Sequence, residues 1–157
     1  MRYVIGIIFL LLSFDVFATH SNSFSCGPIS LKSQNKNIIL KRTDEKIARV
    51  YILKNVASHS IWLDHPTEGR SLHAGWSSYL RPGNSSALLV NHKNFNISCA
   101  VIKPGKVDYL DCEKEIAVCT PKEVVLTGTR KGTYWLAEDK LFDELPNLLK
   151  KRGVEIK

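Results

Sequence analysis

All four cysteines of this chain, Cys26, Cys99, Cys112 and Cys119, follow a leader with the pattern of an export signal. Arg2 and the amino terminus form a short positive region, and an almost wholly apolar stretch runs from Tyr3 to Leu12. That stretch is far shorter than the roughly 20 apolar residues a membrane span needs. Val16 and Ala18 place small residues at the −3 and −1 positions of a cleavage site. The expectation is therefore a signal peptide over residues 1–18 and a single β-rich domain over residues 19–157, periplasmic or secreted. A buried N-terminal helix or strand is the competing reading of the leader. Lipidation at Cys26 is the other, and it is disfavoured because Cys26 lies well beyond the apolar stretch.

An even cysteine count in an exported chain reads as a disulfide framework. Zinc sites need closely spaced CxxC pairs, and six residues separate even the nearest two cysteines, Cys112 and Cys119. Four cysteines allow three pairings. A hairpin expected around Lys103-Pro104-Gly105-Lys106 brings Cys112 toward Cys99 and favours Cys99–Cys112 with Cys26–Cys119. A regular hairpin, however, sets Cys99 opposite Leu110 and only diagonal to Cys112.

The rest of the chain reads as many short strands. Apolar, β-branched or alternating runs occupy 38–40, 47–56, 58–65, 87–91, 95–102, 107–112, 116–120, 124–127 and 133–136. Turn chemistry separates them at 43–46, 66–78 and Pro82-Gly83. In the run 95–102, Phe95, Ile97, Cys99 and Val101 share one face, which places Cys99 in the core. Residues 19–25 read as a polar lead. Near the end the period changes. Leu141, Phe142, Leu145, Leu148 and Leu149 form one helical face, with Asp139 as N-cap or first-turn acid, Pro146 as a point of bending or restart, and Gly153 just past the end. The fold class expected is mainly β, an antiparallel β-sandwich with a C-terminal amphipathic helix against one end.

The formal charge is +7, and loss of Arg2 and Asp15 with the leader leaves it at +7. Such a domain favours anionic surfaces or simply stays soluble. Nucleic acid is a poor partner for an exported chain whose lysines are scattered. No GxSxG, HExxH or glycine-rich phosphate loop is present, so no catalytic residues, cofactor or metal are assigned. Two triplets, Asn84-Ser85-Ser86 and Asn96-Ile97-Ser98, match the glycosylation pattern, which matters only in a eukaryotic source.

The densest group of chemically active side chains is 59–76. His59 and His65 share a strand face but lie roughly 20 Å apart on a straight strand, too far to chelate one ion. Asp64 faces the other way with Trp62. As a binding site, the loop 66–78 would gather Asp64, His65, Arg70, His73 and Trp76, with Trp76 as apolar contact and Arg70 as steering charge. The competing role for Trp76 is to cap the core.

Several stretches carry a family resemblance. Ile61-Trp62-Leu63-Asp64-His65-Pro66, Ala74-Gly75-Trp76-Ser77-Ser78-Tyr79-Leu80, Pro82-Gly83, Ala87-Leu88, Phe95-Asn96-Ile97-Ser98-Cys99 and the pair Cys112 and Cys119 resemble the enhanced entry protein B family of intracellular bacteria such as Legionella. The resemblance covers roughly residues 47–127. It implies an exported bacterial protein linked to host-cell entry or intracellular survival, and it carries no catalytic residues. The expected function is a non-enzymatic binding or accessory protein of the bacterial envelope, with an envelope protein, a host protein or an anionic polymer as partner. The alternatives are an inhibitor or helper of a cell-wall enzyme and, third, a metal-dependent enzyme.

Overall fold

The structure, a computed structural model, describes residues 24–41, 48–65, 77–128 and 132–157. The signal segment expected over residues 1–18, and residues 66–76, which include Arg70, His73 and Trp76, lie outside the described residues. The fold is mainly β, with antiparallel sheets and a short C-terminal helix. One sheet has the order β1-β10-β4-β7-β12, formed by Cys26–Pro28, Ile116–Pro121, Arg49–Asn55, Ser85–Val90 and Tyr134–Lys140. The second runs β2-β3-β8-β5-β6, from Lys32–Gln34, Asn37–Lys41, Asn94–Lys103, Ile61–Asp64 and Ser77–Leu80, with β9 (Lys106–Leu110) also paired to β8. A small pair, β11 (Val124–Leu126) and β13 (Val154–Ile156), stands apart.

Alternation along β4 and β7 explains how these parts stack. Tyr51, Leu53, Leu88 and Val90 point into a core shared with Ile38, Leu63 and Ile97 of the second sheet. Their neighbours Val50, Ile52, Ala87 and Leu89 point the opposite way, into a second core with Leu136, Leu145, Leu149 and Val154. The first sheet is thus apolar on both faces, and every residue of β7 is buried. The C-terminal helix covers its outer face and does not sit at one end of the sandwich as expected. The signal was present in the unbroken apolar runs of β4 and β7, since a strand with one wet face would alternate.

The last segment forms a 3-10 turn over Phe142–Glu144 and then α2 over Leu145–Lys151. Pro146 stands in the first turn of α2, where its missing N–H has no helical partner to lose. Gly153 ends the helix at φ 71°, and its N–H donates to the Lys150 carbonyl at 2.9 Å. Asp139 is not the helix cap. It lies in β12, one residue before its end, at φ 51°, and Leu141 takes the capping position. Phe24, expected in a polar lead, is buried and stacks on Phe142 with ring centroids 4.6 Å apart.

The hairpin between β8 and β9 is tighter than expected. Lys103 and Lys106 pair, leaving Pro104-Gly105 as the turn, with Gly105 at φ 69°. Cys99 faces Leu110, as regular pairing requires. The chain then leaves the sheet at Asp111 and enters a short helix, α1 (Cys112–Glu115), which swings Cys112 within 5.2 Å (Cα–Cα) of Cys99. The other bridge joins Cys26 to Cys119 at 5.6 Å, and it too is diagonal, since Cys26 pairs with Pro121.

Candidate binding surface

The second sheet presents its outer face to solvent. On β5, Ile61 and Leu63 are buried while Trp62 and Asp64 alternate to the outside. Register then lines up a row across four strands. Tyr79 of β6 pairs with Trp62 of β5, Trp62 with Ala100 of β8, and Ala100 with Tyr109 of β9. Trp62 and Tyr79 meet with ring centroids 5.2 Å apart and planes tilted by 57°. Ala100 is small and covered, so it forms a floor between Trp62 and Tyr109. Strands lie about 4.8 Å apart, which sets Tyr109 roughly 10 Å from Trp62.

This outer face is unusually apolar. Tyr79 is 40% exposed and Tyr109 56%, and the next pair along the same face, Ile102 and Val107, adds two more open aliphatic side chains. Of the seven large hydrophobic side chains left exposed among the described residues, these four share one face. Single exposed apolar residues are ordinary, but a contiguous group marks a contact surface.

A cleft of about 700 Å³ opens beyond the β6 edge, and Tyr79 forms its near wall. Arg81, just past the end of β6, continues the face of Tyr79, and Ser60 precedes β5 on the face of Trp62. Asp139 and Glu144 line the far side. The positive φ of Asp139 turns its carboxylate back toward β6, where it accepts hydrogen bonds from the Arg81 backbone N–H (2.9 Å), Arg81 Nε (2.7 Å) and Asn84 Nδ2 (2.9 Å). Burial pushes that carboxyl up, but the Arg81 backbone N–H, Asn84 and the Arg81 side chain together hold it below the usual aspartate value. Glu144 accepts from the Leu141 N–H at 3.1 Å. At the tip of the β8–β9 hairpin, on the face turned away from Tyr109, Lys103 and Lys106 flank Asp108 at 2.8 and 2.6 Å and hold its carboxyl down to about 2.

Of the loop residues expected to bind, Asp64 and His65 are described. Asp64 lies on the outer face, pairs with Ser77 across the β5–β6 hairpin, and accepts a bond from Ser98 Oγ at its carbonyl (3.3 Å). His65 points the other way. It stacks on Phe95 at 4.2 Å, and its Nδ1 donates to the Asn96 carbonyl at 2.7 Å. The strand β6 begins at Ser77, so the irregular stretch expected to reach Ser78 ends before it. His59 is 3.4 Å from Glu115. Among the described residues, no group of three or more His, Cys, Asp or Glu side chains is placed to hold a metal ion. All four cysteines are in disulfides.

Reading along the chain did not single out Tyr79, Tyr109 or Arg81 as site residues, and took Asp139 for a helix cap. The first three are unremarked in their own segments, and only strand pairing brings the rings into one row. A partial signal existed: the supposedly polar positions of 58–65, 95–102 and 107–112 carry Trp62, Ala100, Ile102, Val107 and Tyr109. Compared with known proteins, the chain matches no protein-family model, no curated protein and no solved structure.

Proposed function

We propose that this chain is an exported, non-enzymatic binding or accessory protein of the bacterial envelope that engages its partner through the outer face of the β6-β5-β8-β9 sheet. The observation that carries this reading is the row Tyr79, Trp62, Ala100 and Tyr109 with the exposed pair Ile102 and Val107 beside it. Exposed aromatic side chains on a rigid frame give large contact area at small entropic cost. The Cys99–Cys112 bridge fastens β8 to the start of α1 directly beneath this face. Both disulfides suit an oxidising, extracytoplasmic compartment. The leader suggests a mature chain starting at Thr19, and the resemblance to the enhanced entry protein B family supports reading the activity as one in host-cell entry or intracellular survival.

The test is site-specific photocrosslinking in producing cells. A benzophenone side chain replaces Tyr109 in one strain and Val125, 47% exposed on the small β11–β13 pair, in another. The expected result is an adduct from position 109 that position 125 does not give. Equal adduct patterns from both positions, or none from either, would refute the assignment of this face.

A further inference from the structure

We infer that the outer face and its adjoining cleft form one continuous track for a neutral, linear glycan, with sugar rings lying on Tyr109, Trp62 and Tyr79 and hydroxyls reaching into the cleft beside Arg81 and Asp139. The inference rests on the reading of this face as the binding surface and goes further by naming the ligand class.

Geometry is the first argument. Tyr109, Trp62 and Tyr79 stand on strands paired through Ala100, so the row runs perpendicular to the strands and spans roughly 15 Å. A pyranose ring in an extended chain advances by close to one inter-strand step. Its apolar C–H face suits the electron-rich face of an aromatic ring. Ala100 is closed over by its neighbours, so the strip from Tyr109 to Tyr79 has no open gap at its position.

The cleft supplies the complementary half of the chemistry. Sugar recognition needs hydrogen-bonding groups fixed in place where the stacking surface ends. Tyr79 belongs to both the row and the cleft wall. Beyond it stand Arg81 and Asp139, locked to each other at 2.7 Å, with Asn84 bonded to the same carboxylate. Locked side chains lose little entropy when they receive a ligand. The cleft volume falls in the range of ordinary small-molecule sites.

Charge and area decide against other occupants. Although the chain is strongly basic, Arg81 at the cleft end of the track is neutralised by Asp139, and Lys103 and Lys106, paired with Asp108, stand on the opposite face of the sheet. The cleft itself balances Arg81 and Lys140 against Asp139 and Glu144. Such a surface offers no excess field for a polyanion. The exposed apolar strip amounts to roughly 400 Å² from the usual size of such side chains, about half the area each partner buries in a stable protein pair. A second copy of the chain or a protein partner would therefore have to find most of its contact elsewhere.

The mature chain is titrated, by heteronuclear NMR and calorimetry, with hexamers of β-1,4-linked N-acetylglucosamine and of β-1,4-linked glucose, and separately with heparin. Saturable binding of at least one hexamer is expected, with shifts centred on Trp62, Tyr79, Ala100 and Tyr109 and little change between low and high salt. Tyr79→Ala and Tyr109→Ala remove exposed rings that the fold does not rest on, and each should weaken binding about tenfold. Absence of binding to both hexamers, binding unchanged in both variants, or capture of heparin alone with a steep salt dependence would overturn the glycan assignment. If position 109 still crosslinks specifically while neither hexamer binds, the glycan is wrong and the face stands. If neither occurs, both readings fall.

Discussion

Replacing Asn55 should loosen the frame that holds the aromatic row without touching a ring. Asn55 ends β4 and is fully buried. Its Nδ2 donates to the carbonyls of His59 (2.8 Å) and Leu80 (2.9 Å), and its Oδ1 accepts from the Ala57 N–H (2.9 Å). Those partners lie at the approach to β5 and the end of β6, the two strands that carry Trp62 and Tyr79. The backbone joins the same junction, with the Asn55 N–H donating to the Asn84 carbonyl and the Gly83 N–H to the Asn55 carbonyl, both at 3.0 Å. Asn55→Ala strands two carbonyls and one N–H, at a cost of about 1–3 kcal/mol for each buried group left unpaired. Ala57 and His59 lie near enough to the surface to recruit water, whereas Leu80 is fully enclosed. The net loss should be about 3–4 kcal/mol. Asn55→Asp keeps the Ala57 bond but aims a carboxylate at two carbonyl oxygens, so its loss at pH 7 should be larger, about 4–5 kcal/mol. In the variant, burial and the facing carbonyls raise the folded-state pKa of the new carboxyl above the unfolded value of about 3.9. The native state then binds the proton more tightly, and the deficit shrinks as pH falls from above the folded value toward about 3.9. Urea unfolding at pH 7 and pH 5, followed by circular dichroism with constant m-values, measures both effects. An Asn55→Ala protein within about 1 kcal/mol of the parent, or an Asn55→Asp protein no more acid-tolerant than the parent, would refute the reasoning.

Alkylation of the unreduced, folded protein should label no thiol, since both bridges are closed. On the chain-entropy account, removing Cys26–Cys119, separated by 93 residues, should cost about 4–5 kcal/mol, against about 3 kcal/mol of loop entropy for the 13-residue separation of Cys99–Cys112; matched denaturant curves for the two double-alanine variants check this, with the second carrying an added packing loss because both its cysteines are fully buried. Leu89→Ala, on the β7 face turned toward α2, should lose about 2–5 kcal/mol in urea unfolding, comparable to Leu88→Ala on the opposite face; a Leu89→Ala protein as stable as the parent would remove the second core. Because Asp139 has a lowered folded-state pKa, its contribution is present above the unfolded value of about 3.9 and is lost as pH falls through the folded value. Asp139→Asn should therefore flatten the stability profile below pH 4 and leave its shape near pH 7 unchanged, as read from thermal midpoints across that range. Intact mass of exported protein should give a chain that begins at Thr19.

Local chemistry along the chain was enough to specify some elements. Alternation and β-branched residues mark β3, β4, β5, β8 and β10, because a side chain's face in a strand depends only on its parity. Pro104-Gly105 specifies its own turn through one fixed φ and one permissive glycine. Leu145, Leu148 and Leu149 specify a helical face, whereas Leu141, read as part of it, caps the preceding turn and is 60% exposed, and the even cysteine count specifies two bridges. Of the candidate site, Asp64 and Trp62 were placed on the same outer face by parity alone. Other elements exist only because distant segments meet. Cys26–Pro28 is a strand through its pairing with β10 and its disulfide, and Lys32–Gln34 is exposed throughout and extended only alongside β3. The row of rings required the registers Trp62 with Tyr79, Trp62 with Ala100 and Ala100 with Tyr109, and a slip of one residue in any of them would send a ring into the core. Asp139, read from its neighbours as a helix cap, was committed instead to Arg81, 58 residues away. Strand parity and turn chemistry depend on a few consecutive residues, whereas register and layer order depend on which buried surfaces match across the whole chain. That is why the face could be read from the sequence and its composition as a site had to come from the fold.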